Sequence, residues 1–149
     1  MPADLRVRRA AEDDIEALLT LLSQLHEEEP QIAPGESVRA AYARIVSTPG
    51  RSVLLAEAGN VAVGTLDLLV VENLTRGGRA WATIENLVVD RAHRRLGVGA
   101  ALLGAAVAIA REAGAYKLQL LSHARREAAH AAYERAGFDA PVRGFRLYL

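Results

Sequence analysis

Gly97 to Ala110 is a run of fourteen residues without a charged side chain, most of them glycine or alanine. Such a run has to be buried, and it falls short of the roughly twenty residues that a membrane-spanning helix needs. It therefore reads as a helix, extending to about Gly114, whose small side chains let it lie close against a sheet. An apolar strand from about Ala80 to Val89 precedes it, and the connection Asp90-Arg91-Ala92-His93-Arg94-Arg95-Leu96 is short and basic. Strand, basic loop and a helix entered through Gly97 and Gly99 form one unit, and the rest of the chain has to be arranged around it.

Upstream, Leu5-Arg6-Val7-Arg8 alternates apolar and charged residues, the pattern of a short strand with one buried face. Ile15, Leu18, Leu19, Leu22 and Leu25 recur at helical spacing behind the acidic turn Glu12-Asp13-Asp14, which predicts a helix to about Glu28. Pro30 and Pro34-Gly35 break it, and Val38, Ala41, Tyr42 and Ile45 mark a second helix stopped by Pro49-Gly50. The pair is expected to cover one side of a cleft. Ser52 to Ala58 and Val61 to Val71 predict a hairpin turning at Gly59-Asn60. Downstream, Tyr116 to Leu121 reads as a buried strand, Glu127 to Ala136 as a helix ended by Gly137, and Phe145 to Leu149 as a final strand. Strands and helices alternate, so the fold class is α/β with a mixed sheet. With no internal repeat and no Ser/Gly linker, residues 1–149 read as a single domain.

Eighteen basic and eighteen acidic residues cancel, so the chain lacks the field that draws proteins to nucleic acid or anionic lipid, and any anion has to be held locally. No cysteine is present, which excludes a disulfide framework, a thiolate metal site and an acyl-cysteine intermediate. His26, His93, His123 and His130 share no metal-ligand spacing, so no metal is expected. The start Met1-Pro2-Ala3-Asp4-Leu5-Arg6 does not read as a signal peptide. A soluble, cytoplasmic protein without a nucleic-acid or membrane partner is the expectation.

A helix entered from a strand presents unpaired backbone N–H groups and the positive end of its dipole, a ready phosphate site. Glycine at 97 and 99 lets a pyrophosphate approach the backbone, and Arg94 and Arg95 can add charge-assisted hydrogen bonds. The segment is neither the Gly-x-x-x-x-Gly-Lys loop of NTPases nor the Gly-x-Gly-x-x-Gly dinucleotide fingerprint, since position 102 is leucine. It resembles motif A of the GNAT superfamily of N-acetyltransferases, (Arg/Gln)-x-x-Gly-x-(Gly/Ala), through Arg94, Gly97 and Gly99. The family's closing Tyr-Glu-x-x-Gly-Phe is matched by Tyr133-Glu134-Arg135-Ala136-Gly137-Phe138, and the resemblance runs over nearly the whole chain.

The resemblance implies an acyl-CoA N-acyltransferase fold: a mixed, mostly antiparallel central sheet with flanking helices. It also implies acetyl-CoA as co-substrate. Its pyrophosphate would lie on the backbone of Arg95, Leu96, Gly97, Val98, Gly99 and Ala100, with Arg94 beside it, and its pantetheine arm along the backbone of Leu87, Val88 and Val89.

Acetyl transfer to an amine needs a base for the amine, a donor to the oxyanion and an acid for the departing thiolate. The resemblance gives the acid to Tyr133. Glu85 is the carboxylate inside the motif A strand and the candidate base. Strict alternation would place it on one face with Trp81, Thr83, Leu87 and Val89. Some relatives carry the base two residues earlier, where this chain has Thr83. A backbone N–H near Leu87 or Val88 is the default oxyanion donor.

Ile84-Glu85-Asn86-Leu87-Val88-Val89 with Ala115-Tyr116-Lys117 looks like the glucosamine-phosphate branch of the family, whereas Arg126 to Tyr133 looks more like acetyltransferases of small amines or aminoalkylphosphonates. Many relatives have asparagine where this chain has Arg126. Arg126, Arg143 and Arg146 are candidates for binding a phosphorylated acceptor, and Glu28, within Glu27-Glu28-Glu29, for a cationic one. The resemblance implies that the acceptor is a primary amine of a small molecule or a protein. The competing class is a catalytically silent acetyl-CoA sensor or protein-interaction module. Relatives often dimerise through C-terminal strands, so Phe145 to Leu149 is expected to pair with a second copy.

Overall fold

The computed structural model describes residues 2, 4–25 and 33–149. Five strands form one sheet in sequence order: β1 (Leu5–Arg9), β2 (Arg51–Ala58), β3 (Val61–Val71), β4 (Trp81–Val89) and β5 (Leu118–Leu120). The first four pair antiparallel and β5 joins β4 in parallel, so the sheet is mixed as expected. Four α-helices flank it: α1 (Ile15–Leu22), α2 (Glu36–Ser47), α3 (Val98–Glu112) and α4 (Glu127–Arg135).

Each sheet face has its own core. Toward α3 and α4, the buried side chains Leu54, Leu66, Leu68, Ala82 and Ile84 meet Val98, Leu102, Leu103, Ala106 and Tyr133. Toward α1 and α2, Leu55 and Val88 meet Ile15, Leu18, Leu21 and Tyr42. Each large aliphatic side chain so buried contributes roughly 1.5–3 kcal/mol. The small residues of α3 let it approach closely: a methyl group on Gly64 of β3 would sit 2.9 Å from Val98 Cγ1 and 3.1 Å from Leu102 Cδ1. This contact fixes the first turn of α3 against the sheet.

Three expectations need correction. The helix expected to reach Glu28 ends as α1 at Leu22, with residues 23–25 in turns; Glu28 itself lies outside the described residues. Phe145 to Leu149 forms no strand, and Val142, Phe145, Leu147, Tyr148 and Leu149 are all exposed. The alternating pattern is there, but the outermost strand β5 is only three residues long and no strand among the described residues pairs with the tail. Finally, β4 does not alternate strictly. Asp67 faces Glu85 and Thr65 faces Val88, so two residues of β4, Asn86 and Leu87, stand opposite Leu66 alone. Asn86 takes φ 55°, a left-handed conformation that asparagine tolerates. Beyond this bulge the faces exchange: Leu87 and Val89 pack toward α3 while Val88 packs toward α1.

Candidate active site

β4 and β5 pair only from Ala82–Leu118 to Ile84–Leu120. Past Ile84 the edge of β4 facing β5 has no partner strand among the described residues, an edge with which an extended ligand arm could pair through backbone N–H and C=O groups. Leu87, Val88 and Val89 all lie on this stretch.

The open edge leads into the loop before α3. Asp90 leaves β4 and caps the turn of residues 91–93, accepting from Ala92 N–H at 3.1 Å and meeting His93 Nδ1 at 2.7 Å. Arg94 is extended and its Nε donates to Val89 O at 3.2 Å. Arg95 then takes φ 61° and Gly97 φ 87°. Left-handed residues within such a turn can point successive backbone N–H groups into one concavity that favours an anion. The first bond of α3 is donated by Ala101 to Gly97 O at 3.0 Å, so the N–H groups of Val98, Gly99 and Ala100 precede the helical ladder. A methyl group on Gly99 would meet nothing nearer than Val89 Cγ2 at 3.7 Å, so internal packing does not demand glycine there. Arg94, Arg95 and Leu96 are exposed around this cradle.

Glu85 and Tyr133 lie on opposite sides of β4. Glu85 is exposed and, as the cross-strand partner of Asp67, shares the α1/α2 face. Tyr133 is 8% exposed, belongs to the core on the α3 face, and meets Phe138 edge-on at 6.3 Å between ring centroids. No side-chain polar atom fully buried among the described residues lacks a partner, and no protein group bonds the Tyr133 hydroxyl; the ring is packed while its oxygen reaches the surface. Glu85 and Tyr133 thus stand on opposite faces of the sheet.

Of the other candidates, Arg126 is exposed at the N-terminus of α4, Arg143 is exposed, and Arg146 lies over the Tyr148 ring at 5.8 Å and donates to its hydroxyl at 3.2 Å. None of these three meets the cradle loop through a hydrogen bond or ion pair among the described residues. His130 bonds Ser122 and His123 O, and His26 lies outside the described residues. No metal-binding group of three His, Cys, Asp or Glu side chains converges among the described residues.

Sequence reasoning passed over two features. Gln24, just past α1, donates to Asp90 Oδ1 at 2.9 Å and accepts from Arg91 N–H at 3.1 Å, clasping the start of the cradle loop. This bond, more than the His93 contact, holds the Asp90 carboxyl below the ordinary carboxylate range. Asp67 is a buried acid in the apolar run Leu66-Asp67-Leu68-Leu69, and Arg51 grips both its oxygens. A lone acid in a strand of that kind was the available signal.

Residues 15–138 match the model of the Acetyltransferase (GNAT) family. A glucosamine 6-phosphate N-acetyltransferase of Trypanosoma brucei brucei is 35% identical over 146 residues, covering 98% of this chain and 97% of the relative. A solved structure from Agrobacterium tumefaciens superposes with a TM-score of 0.92 at 34% identity, covering 97% of this chain and 99% of that one. The structure of a transcriptional regulator from Bacillus halodurans superposes at 0.90 with 28% identity, covering 97% and 99% of the two chains.

Proposed function

Because the chain belongs to the GNAT acetyltransferase family, and is thus an acetyl-CoA-dependent N-acetyltransferase, we propose that it passes the acetyl group directly to the primary amine of a small molecule at the free edge of β4. The carrying observation is the continuity of that edge with the left-handed cradle of Arg95 and Gly97. Acetyl-CoA supplies a thioester carbonyl open to attack. The N–H groups from Arg95 to Ala100 hold the pyrophosphate, with Arg94 beside it, and the backbone of Leu87, Val88 and Val89 aligns the pantetheine arm.

Glu85 takes the proton from the acceptor ammonium on the α1/α2 face, directly or through water. A backbone N–H near Leu87 or Val88 stabilises the oxyanion, and the Tyr133 hydroxyl gives its proton to the departing thiolate on the α3 face. Nitrogen gains the acyl group and loses two protons, one to Glu85 before attack and one that restores the Tyr133 hydroxyl after it has protonated sulfur; Glu85 releases its proton to solvent, and no acyl-enzyme is needed. The similarity to a glucosamine 6-phosphate acetyltransferase supports a second, narrower reading in which the acceptor is a phosphorylated amino sugar; Arg126, Arg143 and Arg146 are the cations that would meet its phosphate.

No helix among the described residues is long and apolar enough to cross a membrane, and with zero net charge the reading is of a cytoplasmic enzyme without a nucleic-acid partner. The exposed apolar tail supports a homodimer.

Calorimetry with acetyl-CoA tests the assignment. Gly99→Glu suits it better than a change at Gly97, whose φ of 87° would strain any side chain. Wild-type binding that Gly99→Glu weakens by about tenfold or more, about 1.4 kcal/mol, with unfolding temperature kept, is the expected result. Binding without turnover of any amine would instead assign an acetyl-CoA sensor.

A further inference from the structure

Between the α1–α2 pair and the sheet lies a cavity of 160 Å³. Leu18 and Leu22 of α1 and Val38 and Ile45 of α2 form its apolar walls; Asp67, Arg51 and Asn86 stand at its sheet side. It adjoins the candidate base, for Asn86 follows Glu85 in the chain and Asp67 is the cross-strand partner of Glu85.

Its buried polar walls are already engaged, while exposed Asn86 makes no side-chain hydrogen bond among the described residues. Arg51 binds both oxygens of Asp67, the Tyr42 hydroxyl donates to Ala11 O at 2.6 Å, and the Thr65 hydroxyl donates to Leu54 O at 2.7 Å. A sugar hydroxyl or phosphate set among the α1 and α2 side chains would lose water and meet apolar walls there, with the Asn86 amide the uncommitted polar side chain on the sheet side. An ammonium would meet an acid already neutralised by Arg51. An uncharged apolar group loses nothing on entry, and apolar cavities of about 150 Å³ hold benzene.

We infer that this cavity is the acceptor pocket for a compact apolar group, and that the acceptor is a primary amine carrying a phenyl-sized aryl or branched alkyl arm. The inference rests on the reading of Glu85 as the base. Residues directly opposite across antiparallel strands lie about 5 Å apart, so one or two methylene groups between nitrogen and ring place the amine at Glu85 with the ring in the cavity. Arylmethyl- and arylethylamines have that geometry.

The test is acetylation of benzylamine, phenethylamine and isoamylamine against ethanolamine, glucosamine and glucosamine 6-phosphate, at saturating acetyl-CoA. The apolar amines should exceed the hydroxylated ones by tenfold or more in kcat/KM. Ala41→Phe, which fills the cavity from α2, should erase that advantage and leave acetyl-CoA affinity unchanged. Ile45→Ala, which enlarges the cavity, should move the preference from phenyl to naphthyl arms and keeps the test alive if Ala41→Phe fails to fold.

Equal or better turnover of the hydroxylated amines overturns the assignment. So does an apolar preference that survives in both variants, or a change confined to the length of acyl chain accepted from propionyl- and butyryl-CoA, which would give the cavity to the donor. Absence of acetyl-CoA binding in the wild type would instead take down the enzyme reading beneath it.

Discussion

Glu85 and Tyr133 lie on opposite faces of the sheet, so each can be altered without disturbing the other. Glu85→Gln keeps the shape and removes the proton acceptor; kcat should fall by about 10²-fold or more, with acetyl-CoA affinity unchanged by calorimetry. Tyr133→Phe keeps the ring packed on Phe138 and removes only the hydroxyl, so kcat should fall with no loss of unfolding temperature. A kcat held in both variants would remove them from the chemistry. Arg8 makes a prediction about stability instead. Its guanidinium binds Asp14 at 2.6 and 2.9 Å and Glu57 at 2.6 Å, tying β1 to β2 and to the turn before α1. These hydrogen bonds are the largest cause of the lowered pKa of Asp14, ordinarily 3.8, and of Glu57, ordinarily 4.5. Carboxylates with lowered folded-state pKa values contribute stability that is complete above their ordinary values and is lost as pH falls through the folded ones. Arg8→Ala should therefore cost about 2 kcal/mol at neutral pH, and the gap from wild type, measured by denaturant unfolding, should narrow as pH drops below 3.8.

At the scale of elements, the cradle is precise because α3 is pinned at one end by close packing and its loop is clasped at the other. Gly64→Ala would push against Val98 and Leu102 in the first turns of α3. It should cost about 1–3 kcal/mol and weaken acetyl-CoA binding with it. Gln24→Ala should act differently: it frees the start of the loop from α1 without opening a core, raising the Kd for acetyl-CoA about threefold to tenfold, about 0.7–1.4 kcal/mol. If unfolding temperature drops while Kd stays put, the clasp is structural only. These two elements also mark where sequence reading succeeds and stops. The turn from β4 into α3 was legible because its geometry is local: a strand end, a basic loop and two glycines specify it without help from elsewhere. The Gln24 clasp joins residues 66 positions apart and left no pattern to find. The β4 bulge was hidden for a related reason. It arises from pairing with β3, and Thr83 to Val89 carries no glycine to announce it, so simple alternation put Leu87 and Val89 on the wrong face.

For the whole molecule, hydrophobic spacing marked the strands and the β2–β3 hairpin, whereas the order of β1 to β5 in the sheet and the fate of the chain's end were not legible from it. Phe145-Arg146-Leu147-Tyr148-Leu149 has the residues of a strand, but a pattern specifies a strand only if an edge is offered, and β5 offers three residues. Val142, Phe145, Leu147, Tyr148 and Leu149 consequently face solvent in the single chain. Covering them in a second copy would release roughly 1.5–3 kcal/mol for each. Together these gains are comparable with the roughly 4–15 kcal/mol that association costs, so a stable dimer is within reach of this tail alone. Sedimentation should show a dimer for the full chain and a monomer after deletion of residues 141–149, and the truncated protein should still bind acetyl-CoA, because the cradle lies between β4 and α3. A full-length chain that stays monomeric at every concentration would end the dimer reading. Arg143 and Arg146 lie on the same tail, so truncation by itself confounds assembly with acceptor binding. Arg143→Ala/Arg146→Ala separates them: it keeps the apolar side chains, and the dimer should survive. If turnover of glucosamine 6-phosphate then falls while that of apolar amines holds, the tail carries a phosphate site; if neither changes, its role is assembly alone.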